Sequence, residues 1–325
     1  MTKSEQLAAS VHQRLKNLTG TNDFQTTLVL YALERLLYRL SQSAYRQQFV
    51  LKGALLFNIW LEHSYRSTRN ADFLSFGDST PERIEEIFRE LCVLDVEADG
   101  LEFVTDSVVS SRIKADREYE GVRVNLVAYL AGTRTRIPVQ VDVGFGDAVT
   151  PSPIEIEFPV LLSFPAPQVL SYPPETIVAE KFQAMVMLGM SNTRLKDFYD
   201  LWVLATDCSF DGTVLGEALT ATFARRKSLL PQTVADVVAL TPLFAADAQK
   251  QQAWRAFLRK HQSLAKPLLG TRRFANGTRI ATELSLMEVV EIIQEFLLPV
   301  SAIASSGEVF SGRWVGGQRG WQIAP

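Results

Sequence analysis

Cysteine is scarce: only Cys92 and Cys208 occur in 325 residues, too few and too far apart for a disulfide framework. Neither sits in a Cys-x-x-Cys spacing, so both read as buried, reduced thiols. Long apolar runs are missing as well. No stretch approaches the ~20 residues that a membrane span requires, and the polar start Met1-Thr2-Lys3-Ser4-Glu5-Gln6-Leu7 lacks the hydrophobic region of a signal peptide. A soluble, cytoplasmic protein with no membrane role is the expectation. Charge of one sign is not in excess either: the formal net charge is −3, which argues against a polyanion-coating chain and makes any nucleic-acid contact focal. Neither an internal repeat nor a low-complexity tract is present.

The composition does offer 47% hydrophobic residues, enough for two modest domains or one elaborated domain. Apolar residues recur at helical spacing over 4–17 and 24–47, with Leu28, Tyr31, Leu33, Leu36 and Leu40 as an inner stripe flanked by Arg35, Arg39 and Arg46. Phe49 to Leu51 reads as a short strand, and 53–62 as a helix that begins at Gly53. Ala71 to Phe76 is a second strand, stopped by Gly77-Asp78. Ser79-Thr80-Pro81-Glu82 then has the pattern of a capping box for a helix through Cys92. Leu101–Ser111, Val122–Leu130 and Ile137–Gly144 are rich in β-branched residues and separated by glycines, which predicts an antiparallel meander. Clustered prolines between 150 and 174 suit an irregular or edge-strand passage. Helical patterns follow at 175–190, 193–206, 214–227, 231–238, 249–262 and 283–298, and a tail from Ser305 with Trp314 and Trp321 is expected to pack on the body. This order predicts an α+β fold, with a mixed α/β domain over 1–165 and a mainly helical domain over 166–325.

Several residues in this framework could carry chemistry. Gly53, between a strand and a helix, allows the close backbone approach that phosphate oxygens need, although such a glycine also serves as an ordinary turn. On a strand, Asn70 and Asp72 point to one face while Ala71 points to the other. Paired oxygens there suit Mg²⁺, a hard cation often held by one or two carboxylates plus substrate phosphates. Asp142 interrupts an apolar strand, and alternation puts it with Gln140 opposite Val139, Val141 and Val143. That placement leaves a second metal ligand or a solvated strand face open. Asp147, after two glycines, reads as a turn residue. Lys181 shares a helical face with Ile177, Ala184 and Leu188, so its ammonium either snorkels to the edge or points into an anionic site. Arg194 with Asp197, and Lys196 with Asp200, have the spacing of helical surface pairs. Asp197 also heads a stripe with Leu201 and Leu204, where a carboxylate needs a partner such as Lys181 or Arg194.

Taken together, Leu-Lys-Gly-Ala-Leu-Leu-Phe at 51–57, Arg-Ser-Thr-Arg-Asn-Ala-Asp-Phe-Leu at 66–74, Asp142, Glu180-Lys181 and Arg-Leu-Lys-Asp-Phe-Tyr-Asp-Leu at 194–201 resemble the AbiEii/AbiGii-type toxins of the nucleotidyltransferase superfamily. The resemblance covers Phe49 to about Leu204. It implies a DNA-polymerase-β-like nucleotidyltransferase core, with a mixed sheet flanked by helices and a helical C-terminal domain. By the same resemblance, Lys52, Gly53 and Ala54 with Lys181 and Arg194 would hold an NTP. Asn70, Asp72 and Asp142 would hold Mg²⁺, and Asp72, Lys181 and Asp197 would be catalytic. Partners implied are a cognate antitoxin, NTP and RNA, with the tRNA acceptor end as the leading acceptor. Arg225, Arg226, Lys227, Arg255, Arg259, Lys260, Arg272 and Arg273 either form a basic rim for that RNA or a solvated helix face. One letter departs from the family pattern: Asn70 stands where an Asp-x-Asp pair has its first acid. An Asp-to-Asn change there, natural or introduced to silence a toxic protein, is expected to weaken metal binding and turnover strongly.

Overall fold

Alternating apolar positions and helix-period stripes build a seven-stranded mixed sheet with helices on it, and a second unit made mainly of helices. In this computed structural model the described residues are 2–19, 23–61, 68–114, 120–261, 269–273 and 279–323. Unit one comprises Met1–Asp147 and Pro153–Tyr172, and unit two comprises Ala148–Ser152 and Pro173–Pro325.

In unit one the elements run α1 (Lys3–Thr19), α2 (Phe24–Gln42), β1 (Phe49–Lys52), a 3₁₀ turn (Gly53–Leu56), α3 (Phe57–Trp60), β2 (Asn70–Ser75), α4 (Pro81–Val93), β3 (Leu101–Lys114), β4 (Glu120–Leu130), β5 (Arg136–Phe145), β6 (Ile154–Glu157) and β7 (Gln168–Ser171). The sheet order is β3-β4-β5-β2-β1-β7-β6. β3, β4 and β5 form the expected antiparallel meander. β2 then joins β5 in parallel and β1 pairs β2 antiparallel. β7, sequence-distal to 165, closes onto β1 in parallel, so the sheet extends beyond that position.

One sheet face is apolar because the strands alternate. Val139, Val141 and Val143 are buried, as are Ala71 and Phe73 of β2. Leu33, Leu36, Leu37 and Leu40 of α2 and Phe88 and Leu91 of α4 gather with Ala71 and Phe73 around one shared small void. Arg35 and Arg39 beside the α2 stripe are buried too. Arg39 bonds Asp99 at 2.6 Å, while Arg35 pairs with Glu34 at 3.0 Å and donates to the Pro165 carbonyl at 2.8 Å. Two local expectations give way. The helix expected over 53–62 is a 3₁₀ turn followed by the single turn of α3, with Glu62 outside the described residues. The capping box at Ser79–Glu82 does not form: Thr80 is the N-cap and its side chain makes no capping bond, while its backbone N–H donates to Asp78.

Unit two holds α5 (Pro174–Leu188), α6 (Leu195–Asp207), β8 (Phe210–Asp211), α7 (Gly212–Arg225), α8 (Pro242–Ala246), α9 (Ala248–His261), β9 (Leu269–Arg273), β10 (Arg279–Glu283), α10 (Leu286–Ser305), β11 (Gly312–Trp314) and β12 (Trp321–Ile323). The helix expected over 231–238 is absent, replaced by 3₁₀ turns at Val234–Asp236 and Val238–Leu240. α10 runs past Pro299 to Ser305 because Leu297 and Val300 on either side are buried, and packing outweighs the hydrogen bond a proline forfeits. The tail does pack: the indole N–H of Trp314 donates to the Ala205 carbonyl at 2.6 Å, and that of Trp321 to Phe296 at 2.9 Å. Among the described residues, no helix is long and apolar enough to cross a membrane.

Candidate active site

The polar face of the unit-one sheet carries a row of charges set by strand register. Lys52 of β1 pairs with Asp72 of β2, Asp72 with Asp142 of β5, and Asp142 with Arg123 of β4. Register partners share a face, so the four side chains read plus, minus, minus, plus across adjacent strands. In β4 and β5 this order follows from strict alternation, with Val122, Val124, Val139, Val141 and Val143 on the opposite face, whereas β1 and β2 also bury Val50 and Leu74 on the face of Lys52 and Asp72.

Each member of the row is engaged. Arg123 grips Asp142 with a bidentate fork, Nε to Oδ1 at 2.7 Å and Nη2 to Oδ2 at 2.8 Å. The hydrogen bond that Arg123 donates to Asp142, followed by the charges of Asp142 and Asp72, raises the guanidinium above its ordinary value. Gln140 Nε2 reaches Asp142 Oδ2 at 3.3 Å. At the other end the Lys52 ammonium donates to Asp147 Oδ2 at 2.8 Å and lies 5.4 Å from the centre of the Tyr172 ring.

Gly53 follows Lys52 with φ +75°, in the left-handed region that favours glycine. A Cβ at this position would fall 2.4 Å from Asp72 Oδ2 and 3.0 Å from Asp72 Cβ and Cγ. Glycine is therefore needed here for the turn to pass beside the acid. Asn70 lies one same-face step from Asp72 on β2; its Nδ2 donates to Asp72 Oδ1 at 3.0 Å, and its Oδ1 accepts from the Thr68 hydroxyl at 2.9 Å.

Asp72 and Asp142 present a set of carboxylate oxygens on neighbouring strands, while the Asn70 amide beside them turns its nitrogen to Asp72 and its oxygen to Thr68. That set fits a hard cation such as Mg²⁺, whose remaining positions are usually filled by water and substrate phosphate. Among the described residues, no group of three or more His, Cys, Asp or Glu side chains forms a complete metal cage.

Unit two contains a separate buried ion cluster. The Lys181 ammonium bonds Asp197 Oδ1 and Asp200 Oδ2, both at 2.7 Å, and Arg194 Nε meets Asp197 Oδ2 at 2.7 Å. The side chains of Asp197 and Asp200 are 1% and 0% exposed, against 50% for Arg194. Burial alone would raise the Asp197 carboxyl, but the charges of Lys181 and Arg194 more than offset it and hold the group below the usual range. Complete burial pushes Asp200, the second acid on the same ammonium, well above that range.

The structure thus gathers Lys52, Gly53, Asn70, Asp72 and Asp142 in unit one, and Lys181, Arg194 and Asp197 in unit two. Ala54 is buried in the turn. Arg66 and Ser67 of the motif lie outside the described residues. Three engaged residues escaped the sequence reading. Arg123 had a signal, since it and Asn125 alternate with Val122, Val124 and Leu126. Asp147 reads as a turn residue yet is the acceptor for Lys52. Asp200 turns inward to Lys181 rather than to Lys196. In the basic rim, Arg225, Lys227, Arg255, Arg259 and Lys260 are exposed. Arg226 instead donates to Gln183 at 2.9 Å and lies 3.7 Å from Glu180. Arg272 and Arg273 fall in β9, but their side chains lie outside the described residues.

The family model for the nucleotidyl transferase AbiEii toxin of type IV toxin–antitoxin systems matches residues 35–276, spanning both clusters. The chain belongs to this family. AbiEii membership makes it a toxin–antitoxin nucleotidyltransferase by descent, with an antitoxin as the implied partner. No curated protein matches. A crystal structure of an H. pylori protein assigned as a nucleotidyltransferase is similar at 13% identity and TM-score 0.43, covering 88% of this chain and 96% of its own. JHP933 from Helicobacter pylori is similar at 15% identity and TM-score 0.38, covering 73% and 96%.

Proposed function

We propose that this AbiEii-family chain transfers a nucleotide from an NTP to an RNA acceptor, with the tRNA 3′ end as the first acceptor to test and Mg²⁺ as cofactor. The observation that carries the reading is the side-by-side placement of Asp72 and Asp142 on parallel strands, next to the Gly53 turn and between two cations. Asp72 and Asp142, with the Asn70 carbonyl, would hold the cation. When bound, it supplies charge that favours in-line attack of a hydroxyl on the α-phosphorus and departure of pyrophosphate. Lys52 exchanges Asp147 for a phosphate oxygen and neutralises charge that develops on the leaving group. In unit two the paired acids fix the direction of the Lys181 ammonium, while half-exposed Arg194 offers a planar fork to phosphate.

A second reading, a catalytically silent protein that holds NTP or RNA and acts by association, is favoured by Asn70. Its amide satisfies Asp72 with a hydrogen bond and carries no charge. A unit charge gained 4 Å from a cation is worth about 4 kcal/mol at an effective dielectric of 20, so an aspartate at 70 would bind a divalent cation far more strongly. The two readings separate in one experiment: prepare Asn70→Asp and measure labelled NTP incorporation into total RNA with and without Mg²⁺. The transferase reading expects Mg²⁺-dependent labelling that greatly exceeds the parent's. A folded Asn70→Asp protein that labels nothing with any of the NTPs would remove it, and NTP-induced thermal protection without labelling would leave the binding reading.

A further inference from the structure

We propose that Arg123 is an intramolecular counter-ion that holds Asp142 while no cation is bound and must release it before a divalent cation loads. The inference rests on the transferase reading above and names the positioning residue that gates its metal site.

Asp142 occupies the middle of the row, with Asp72 on one neighbouring strand and Arg123 on the other. Its oxygens therefore face two alternatives, a cation shared with Asp72 or the guanidinium. The guanidinium has them: both oxygens are taken in a two-point, charge-assisted fork at 2.7 and 2.8 Å. Two carboxylates at one register on strands about 4.8 Å apart repel each other unless a positive charge stands by. Lys52, the register partner of Asp72, donates to Asp147, and Asp72 accepts from the Asn70 amide. Arg123 supplies the charge at Asp142.

The pair is built so that one end can leave. Both strands are paired on both sides, but the Asp142 side chain is 17% exposed whereas that of Arg123 is 41% exposed. Same-face neighbours of Arg123 on its own strand are Gly121 and the exposed Asn125, so they leave its stem room to swing. Once released, its fork matches the phosphate oxygens that complete the shell of a cation held on Asp72 and Asp142.

The test uses Mn²⁺ as the probe and reads its affinity by calorimetry and by the electron paramagnetic resonance of free Mn²⁺. Parent, Arg123→Met and Arg123→Lys are compared in the 325-residue chain and again in its Asn70→Asp background. In at least the Asn70→Asp background, Arg123→Met is expected to bind Mn²⁺ about tenfold or more tightly than its parent, because a competing charge is gone. Arg123→Lys, which keeps the charge but loses the fork, should fall between. Equal or weaker Mn²⁺ binding by Arg123→Met, beside a parent that does bind, overturns the gate and leaves the transferase reading intact. Absence of Mn²⁺ binding by every protein in the Asn70→Asp background overturns the metal site itself, and the gate with it. Should Arg123→Met fail to fold by circular dichroism, Arg123→Gln makes the same comparison under the same criteria.

Discussion

Replacing Gly53 with alanine puts a methyl group where the Asp72 carboxylate stands, and the cost can be worked in two parts. The backbone at φ +75° disfavours any L side chain, by roughly 1–2 kcal/mol. The new Cβ also meets Asp72 Oδ2 at 2.4 Å and Asp72 Cβ and Cγ at 3.0 Å. Rotation of the carboxyl relieves the first contact but not that with Asp72 Cβ, so the turn and β2 must part, at about 1–3 kcal/mol for overpacking. The expected total is about 2–5 kcal/mol. An Asp72→Gly background removes all three contacting atoms, so Gly53→Ala there should cost only the backbone part. Urea titration read by hydrogen exchange in β1 and β2 measures both costs. If Gly53→Ala costs the same in the two backgrounds to within about 0.5 kcal/mol, the two residues are uncoupled and the close approach is refuted.

Two further perturbations test the buried charges. Lys181→Met leaves Asp197 and Asp200 buried without their shared ammonium, at an expected cost of about 3–5 kcal/mol in unit two; thermal unfolding that shows less than about 1 kcal/mol would contradict the cluster. Burial raises the Glu34 carboxyl from 4.5 to about 7, against the Leu161 N–H and Arg35, which lower it. Between those values the folded chain keeps a proton that the unfolded chain has lost. Its contribution is therefore full below about pH 4.5 and is lost as pH rises through about 7, a swing of up to about 3 kcal/mol. Glu34→Gln should flatten that slope in urea unfolding of unit one, and an unchanged slope would assign it to another group.

Local periodicity made much of this molecule legible in the chain alone. Alternation over 137–144 set Asp142 against the valines, and the cost of an unpaired buried carboxylate called for a partner to Asp197, which Lys181 and Arg194 supply. Local signals failed where packing or a neighbouring acceptor overrode them, at the 231–238 turns, at Pro299 inside α10 and at the Ser79–Glu82 cap. What the sequence by itself determined was which face of each segment is polar, because a period of two or 3.6 is written within a few residues. Only the tertiary structure decided which polar residues meet. Asp72 faces Asp142, Arg123 grips Asp142 and Lys52 reaches Asp147 because strands distant in the chain align at one register. That alignment is fixed by the whole sheet's packing, which no single segment encodes.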